Sequence, residues 1–324
     1  MGSPFIEPLP AGIDIPVAER AIALPAFLSG ASSSRPLAVL RIGLAAVLLA
    51  QAFALAPYVF LFFGEHGIVQ APITNALVSA SLPRVTYLIT LLAPYIHDER
   101  MVLLGCFGLY VAALHLLLVG WNTRTVAIIA WLLHLSLKTT ANTSAYGVFE
   151  FATIGLFYCA VLPVGAALSM DAGSWRRDSV SFEAKIGLRV LQLHLCIVYL
   201  SSGIEKIRGE QWCNGEAIWR AVMRPRFAMF DLSWLAAYPT MAMLAGWATL
   251  AIEIGYAFFV WPQRTRRLWA LATIGMHLGI AVVLGLWWFS AVMIVLNIAA
   301  FLVPATPADR PARCSFHHLR PAGA

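Results

Sequence analysis

The stretch LWALATIGMHLGIAVVLGLWWFSAVMIVLNIAAFLV, residues 268–303, decides the class of this protein. It contains no Asp, Glu, Lys or Arg. A membrane-spanning helix needs about 20 apolar residues, so this stretch is too long for one span. We therefore expect two transmembrane helices here, with a break near Gly285.

The composition of the whole chain points the same way. Of its 324 residues, 60% are hydrophobic and 12% are charged, whereas soluble domains carry about 25% charged residues. This predicts an all-α, polytopic transmembrane bundle whose main partner is the lipid bilayer. The net charge of +6 is spread over several loops, which is typical of cytoplasmic loops and does not indicate nucleic-acid binding.

The other long apolar segments bring the prediction to about eight spans. They are residues 37–63, 101–120, 126–137, 146–170, 186–204 and 232–261. The short segment 85–96 is predicted to form a half-helix or re-entrant piece, and residues 215–230 an interfacial helix. The domain organisation is then a polar N-terminal segment (1–35), a transmembrane domain (36–303) and a tail (304–324).

The basic residues predict the orientation of the bundle. With a cytoplasmic N-terminus, most clusters of Arg and Lys fall in inner loops or in the tail, as the positive-inside rule requires. These residues are Arg124, Arg176, Arg177, Lys185, Arg264, Arg266, Arg267, Arg310, Arg313 and Arg320. The prediction is a multi-pass protein of the cell membrane, with both termini cytoplasmic and Lys206 at the outer face.

Several ionisable residues fall inside apolar segments, where they mark functional sites or bond neighbouring helices. They are His115, His134, Glu150, His194, Glu205, Lys206, Glu253 and His277. For His115, His134 and His194 we favour the bonding role. Because the chain has no H-E-x-x-H motif and no histidine pair at i, i+4, no metal site is predicted.

Glu150 and Glu253 are lone carboxylates within spans, and each needs a partner or a proton. Arg41, Arg189 and Lys206 are the candidate partners. A structural pair such as Glu253 with Arg189 and a catalytic role are both consistent with the sequence.

Lys206 ends an apolar stretch and shares one helix face with Tyr199 and Ser202, at spacings of i, i+3 and i+7. That face offers a phenol, a hydroxyl and an amine to a pocket. We expect an outward-opening cavity whose wall also includes His277 and either Asn142 or Tyr146. The alternative is an interfacial lysine that extends to the headgroups, and spacing alone leaves both interpretations open.

The string VYLSSGIEKI, residues 198–207, followed by Trp212, Asn214 and Gly215, resembles the HTTM family, the membrane domain of vitamin K-dependent γ-carboxylases. The resemblance extends over residues 36–303. Further matching strings are LRIG (40–43), TTANTSAYG (139–147), Met276-His277 and Phe289-Ser290.

The resemblance implies a lyase in which Lys206 is the base that deprotonates a reduced quinone of the vitamin K or menaquinol type. Oxygen and carbon dioxide would be co-substrates, and a small peptide would be carboxylated. The residues implied for the substrate and quinone pocket are Asn142, Tyr146, Tyr199, Ser202, Glu253 and His277.

A second hypothesis comes from short proteins that this chain also resembles, in the maturation systems of secreted antimicrobial peptides of the sporulation-delaying type. Thr143 replaces a histidine of the carboxylases, and their large extramembrane domain is not expected here. Both differences favour a non-enzymatic maturation or immunity partner of an exported peptide. A quinone-linked redox subunit similar to DoxX is a third hypothesis, so the sequence leaves open whether the protein is an enzyme.

Overall fold

The computed structural model describes residues 27–64, 67–68, 71–79, 81–141, 146–173, 178–225 and 229–305, which are mostly helical. The α-helices are α1 (Arg35–Leu55), α2 (Val59–Phe63), α3 (Ala71–Leu77), α4 (Val85–Leu92), α5 (Glu99–Val119), α6 (Thr123–Thr140), α7 (Gly147–Val161), α8 (Phe182–Ile207), α9 (Glu210–Cys213), α10 (Glu216–Val222), α11 (Pro239–Phe259), α12 (Gln263–Leu284) and α13 (Trp287–Asn297). Short 3₁₀ turns cover Ala56–Tyr58 and Ser233–Ala237, and a π-helix covers Ile298–Leu302.

Five helices in the described residues are long and apolar enough to cross a membrane, which indicates a multi-pass membrane protein. They are Arg35–Phe63 (α1 continued through α2), α5, α8, α11 and α12. Gly147–Val161 and Trp287–Leu302 are shorter apolar helices. The prediction of about eight spans is therefore not confirmed, and the cytoplasmic location of the termini stays a prediction.

The predicted break at Gly285 is confirmed. Helix α12 ends at Leu284, Gly285 has a φ of +66°, and α13 begins at Trp287. A left-handed residue just after a helix is the common way to end it, and glycine adopts that conformation without steric cost. A Cβ at Gly285 would also lie 2.8 Å from Sδ of Met229, but that side chain is flexible, so the requirement for glycine comes from the backbone conformation.

The segment predicted as one helix over 146–170 is shorter in the structure. Helix α7 ends at Val161, and Leu162 is extended with φ −89° and ψ 158°. Pro163 follows Leu162, and a proline forces the residue before it out of the helical region. Residues 163–173 instead form a folded connection that packs back on the bundle.

Three other boundaries differ from the prediction or refine it. Helix α11 begins at Pro239, a favoured first helical position, because the residues before it form a 3₁₀ turn. Helix α10 ends at Val222, not at residue 230, and residues 226–228 lie outside the described part. Helix α4 confirms a short helix after Pro83, whereas its re-entrant position stays a prediction.

Two short strands were not expected in an all-α chain. β1 (Ser32–Ser33) pairs antiparallel with β2 (Val180–Ser181), and Ser32 lies opposite Ser181. The backbone N–H of Ser33 also donates to the carbonyl of Ala305 at 2.9 Å. The pair therefore joins the beginnings of α1 and α8 to the end of the last helix, and Lys206 lies at the opposite end of α8.

Helix α1 lies at the centre of the bundle. Leu37, Leu40, Leu44 and Leu48 recur at helical spacing and are fully buried. The helix packs against α5, α7 and α13. This packing explains the apolar character of the inward face, whereas the exposed face, which includes Phe53, is apolar as expected of a helix in contact with lipid.

Arg41 is the exception in α1, and it is also fully buried. Its Nε donates to the carbonyl of Val164 at 3.2 Å, and its Nη1 donates to Leu117 at 2.6 Å and Leu118 at 2.8 Å. Its Nη2 donates to the carbonyl of Leu168. We call these five residues the Arg41 cluster. It joins α1, the carbonyl end of α5 and the connection after α7, where a cation also complements the helix dipole of α5.

Asp171 extends this connection to α6. Its carboxylate accepts from the backbone N–H of Asn122 at 2.8 Å, and from the backbone N–H and the hydroxyl of Thr123 at 2.7 and 2.5 Å. Burial raises the pKa of the Asp171 carboxyl, but the hydrogen bonds from Thr123 and Asn122 outweigh it and hold that pKa below its usual value. Asp171 therefore caps the first turn of α6 as a carboxylate.

Candidate functional site

The last turn of α8 carries an ion pair with the middle of α11. Nζ of Lys206 lies 2.6 and 2.7 Å from the two carboxylate oxygens of Glu253, and 2.6 Å from Oγ of Ser202. The Glu253 side chain is 7% exposed and that of Lys206 is 22% exposed. The lysine therefore reaches across to the neighbouring helix, which is not the arrangement of a lysine extended to the headgroups.

Close packing of α8 against α11 brings Lys206 and Glu253 together. A Cβ at Gly203 would lie 2.6 Å from Cγ1 of Ile254 and 3.2 Å from its backbone nitrogen, so only glycine allows α8 and α11 this approach. Small residues of this kind let membrane helices pack backbone to backbone. The indole of Trp212 adds a cation–π contact, with its ring centroid 5.2 Å from Nζ of Lys206.

A buried hydrogen-bond network lies further along the same face of α8. Tyr256 donates to Oδ1 of Asn297 at 2.7 Å, and Nδ2 of Asn297 donates to the Tyr199 oxygen at 2.8 Å. The Tyr199 hydroxyl is 2.8 Å from Nε2 of His277. We call these four residues the Tyr199 network. It joins α8, α11, α12 and α13 by one side chain each.

The second nitrogen of the imidazole, Nδ1, lies away from Tyr199. The tautomer of His277 decides whether Nε2 donates to the Tyr199 hydroxyl or accepts from it. The same tautomer decides whether Nδ1 carries a hydrogen. Nδ1 is buried and has no hydrogen-bond partner within the described residues, and the same holds for Oγ of Ser290 on the adjoining helix.

The ion pair and the network are neighbours. Lys206 lies two turns after Tyr199 on α8. The ring of Phe289 packs on His277, with centroids 5.6 Å apart, and also lies 3.1 Å from a Cβ built on Gly147. Helix α7 therefore begins beside this region.

The structure thus places five of the predicted site residues in two contacting groups: Lys206 with Ser202 and Glu253, and Tyr199 with His277. Tyr146 precedes α7 and its ring packs on Phe149, with centroids 6.1 Å apart. Asn142 lies outside the described residues. The predicted outward-opening cavity, with Asn142 or Tyr146 in its wall, stays a prediction.

The predicted partners of the two carboxylates were wrong in two cases. Glu150 pairs with Lys138 at 2.6 Å, and not with Arg41, Arg189 or Lys206. Arg189 donates to the carbonyl of Phe27 at 3.1 Å and to Gln192 at 2.8 Å, so it does not pair with Glu253. The choice of partner follows from which helices are neighbours, and the sequence does not give that.

The bonding role expected for three histidines is confirmed for two of them. Nδ1 of His134 lies 2.9 Å from the Tyr110 hydroxyl, and Nδ1 of His194 lies 2.9 Å from the Tyr158 hydroxyl. His115 instead bonds the carbonyl of Val111 in its own helix at 2.9 Å. Among the described residues no group of three His, Cys, Asp or Glu side chains could hold a metal ion.

Two members of the Tyr199 network, Asn297 and Tyr256, were not among the predicted site residues. Asn297 is fully buried, as is Tyr256. The sequence does carry a signal for Asn297, because it is the one side-chain amide in the uncharged stretch 268–303. A buried amide in such a stretch must find hydrogen-bond partners on other helices.

Comparison with known proteins gives two distant relatives in Bacillus subtilis (strain 168). The chain is 23% identical over 197 residues to the uncharacterized protein YitO, covering 56% of this chain and 62% of YitO. It is 27% identical over 128 residues to sporulation-delaying protein SdpB, covering 37% of this chain and 38% of SdpB. Each similarity thus spans less than two thirds of the relative.

No family model matches the chain. No solved structure matches it either. Membership of the HTTM family therefore stays a prediction, whereas the resemblance to proteins of the sporulation-delaying type is supported by the similarity to SdpB.

Proposed function

We propose that this chain is a multi-pass membrane protein that assists the maturation of a small exported peptide, and that Lys206 and Glu253 form the place where the peptide binds. The observation that carries the proposal is the similarity to SdpB, a protein named for delaying sporulation. The five membrane-length helices agree with an integral membrane role.

The ion pair suits a binding role because it is partly accessible. With 22% of its side chain exposed, Lys206 is accessible to a peptide, whose carboxylate or carbonyl would replace one of the three acceptor oxygens of Ser202 and Glu253 around the ammonium. The short helices α9 and α10 follow directly after Lys206 and frame the same end of the bundle. A peptide that approaches this end replaces water around a charge already positioned between two helices.

The geometry is less favourable to the alternative, in which Lys206 is the base of a quinol oxygenase. A base must offer a lone pair to the proton that it receives. The contacts of Nζ with Glu253 and Ser202 are instead those of a hydrogen-bond donor. Catalysis by Lys206 would require this pair to separate first.

The test compares the small peptides that the encoding organism secretes with and without the gene, identified by mass spectrometry. Complementation with wild type should restore a peptide that the deletion loses. Lys206→Met should lower its yield about tenfold, the effect of about 1.4 kcal/mol of lost binding, with the membrane level of the protein unchanged.

Lys138→Met is the matched control, because Lys138 also forms a 2.6 Å pair with a glutamate of a neighbouring helix. It should restore the peptide as wild type does. Identical secreted peptides with and without the gene would refute the maturation role. If the purified protein oxidises reduced vitamin K or menaquinol to its epoxide and Lys206→Met does not, the oxygenase hypothesis replaces it.

A further inference from the structure

A cavity of about 630 Å³ lies at the end of the bundle where α12 begins. Three arginines, Arg264, Arg266 and Arg267, and two glutamines line it, together with residues 300–305 after α13. Cavities of this size are typical of small-ligand sites. Because Ala305 contacts Ser33 of the β1–β2 pair, the cavity lies at the opposite end of the bundle from Lys206.

The lining of this cavity is basic, and no acidic residue is found among the described residues that border it. Arg266 is already used, since it donates to the carbonyls of Val260 and Trp261 at the end of α11, at 3.3 and 2.8 Å. Arg264 and Arg267 are exposed and form no ion pair with any described residue. Two guanidinium groups with their donors available therefore border a sizeable cavity.

The backbone around these arginines is also positive. They lie in the first two turns of α12, whose N-terminus has no side-chain cap and no acidic residue in its first turn. Cations at this end of a helix are unfavourable because the dipole is positive there, and an anion reverses the sign of that interaction. The cavity therefore suits a group with negative charge and several acceptor oxygens.

The position of the cavity along the helices suggests where that group comes from. Helices α11 and α12 are both long and apolar enough to cross a membrane, and only residues 260–262 connect them. A connection this short between two spans lies at the level of the lipid headgroups. Phosphodiester groups of anionic lipids are found at that level, and basic pockets between helices bind them.

We propose that this cavity binds the phosphate group of an anionic phospholipid, with Arg264 and Arg267 donating to the phosphate oxygens. Planar guanidinium groups match phosphate geometry with paired hydrogen bonds. The proposal is independent of peptide maturation, because the cavity and the Lys206–Glu253 pair lie at opposite ends of the bundle.

The test is a titration of the purified full chain with phosphatidylglycerol, phosphatidylcholine or inorganic phosphate, read by native mass spectrometry. Wild type should retain phosphatidylglycerol in preference to phosphatidylcholine. The Arg264→Gln/Arg267→Gln variant should bind it roughly 25-fold more weakly, since each arginine near an anionic headgroup contributes a factor of roughly five. If the double variant does not fold, Arg264→Gln and Arg267→Gln singly should each show the fivefold loss.

The control is Arg220→Gln/Arg224→Gln, which removes the same charge from exposed positions in and after α10. Helix α10 packs near Val283 and Leu284, at the other end of α12. Equal losses in the two double variants would mean diffuse attraction to the surface and would overturn the proposal, as would equal retention of phosphatidylcholine. Competition by inorganic phosphate at matched concentration would support the phosphate site and assign its ligand to a soluble phosphate.

Discussion

The Arg41 cluster and the Lys206–Glu253 pair are two solutions to the same problem, a cation among apolar helices. Arg41 is fully buried and all its described partners are backbone carbonyls. Lys206 is partly exposed and its partner is a carboxylate on one neighbouring helix. Four carbonyls from two segments, the end of α5 and the connection after α7, cannot be replaced by a ligand without unfolding that connection. One carboxylate, in contrast, can share its cation with a ligand.

The comparison teaches that burial of a charge is not by itself a sign of function. The more deeply buried of the two cations has a structural role, and the partly exposed one in the last turn of α8 is the better candidate for a site. Ionisable groups within membranes are often functional, but here the kind of partner separates the two cases. The following predictions test that separation, from the largest expected effect to the smallest.

Arg41→Met should destabilise the protein most. It removes the guanidinium donors from the carbonyls of Val164, Leu118 and Leu168, whereas the Leu117 carbonyl keeps the backbone N–H of Gly120. Each buried carbonyl left without a donor costs about 1–3 kcal/mol. We expect a loss of at least about 3 kcal/mol, seen as a large drop in the thermal unfolding midpoint in detergent. A midpoint within a few degrees of wild type would show that water or another side chain replaces Arg41.

Compared with Arg41→Met, Glu253→Gln should lower stability less and should lower peptide maturation in the folded protein more. It removes one charge of a partly exposed pair, so we expect a loss of about 1–3 kcal/mol. The double variant Lys206→Met/Glu253→Gln should recover part of that stability, because no unpaired charge remains, but should not recover peptide maturation. A double variant that matured the peptide normally would remove the pair from the proposed site.

Tyr199→Phe should cost about 1 kcal/mol, since it removes the hydroxyl that bridges Asn297 and His277 while leaving the ring. Tyr256→Phe removes one bond at the other end of the Tyr199 network and is the matched control. We expect the first variant, and not the second, to lower the yield of mature peptide in the secretion assay. Equal effects of both variants would indicate a purely structural network.

Asp171→Asn should have the smallest effect, about 0.5–1 kcal/mol, because a capping carboxylate becomes an amide at a largely exposed site. The pKa of the Asp171 carboxyl is lowered in the folded state. The stabilisation of the folded state by the Asp171 carboxylate is therefore complete above the pKa of the unfolded chain, about 3.9. It is lost as the pH falls through the lower pKa of the folded state. Thermal unfolding at neutral and acidic pH should show a smaller acid-dependent loss in Asp171→Asn than in wild type.

The sequence predicts some parts of this fold because they depend on local chemistry. The length of the uncharged stretch 268–303 and its central glycine were enough to place the break at Gly285. Pro163 carried an equally local signal for the end of α7, and the prediction of a helix to residue 170 overlooked it. Strands of two residues, such as β1 and β2, are too short to leave a pattern in the sequence.

The candidate site is predictable only in part, for a different reason. Helical spacing places Tyr199, Ser202 and Lys206 on one face of α8, and the structure agrees. The pairing of Lys206 with Glu253 depends on α8 being a neighbour of α11, which no spacing within either helix reveals. The same holds for Asn297, whose partners come from α8 and α11.

The β1–β2 pair has a mechanical consequence for the bundle. It fastens the beginnings of α1 and α8 together, so any rocking of α8 against α1 pivots at that end. Lys206 is 24 residues beyond the first residue of α8, which at about 1.5 Å per residue gives a lever of roughly 36 Å. A tilt of about 5° at the pivot then moves the far end of that helix by about 3 Å. Small rotations near β1 and β2 therefore become ångström-scale displacements of Lys206 relative to α1.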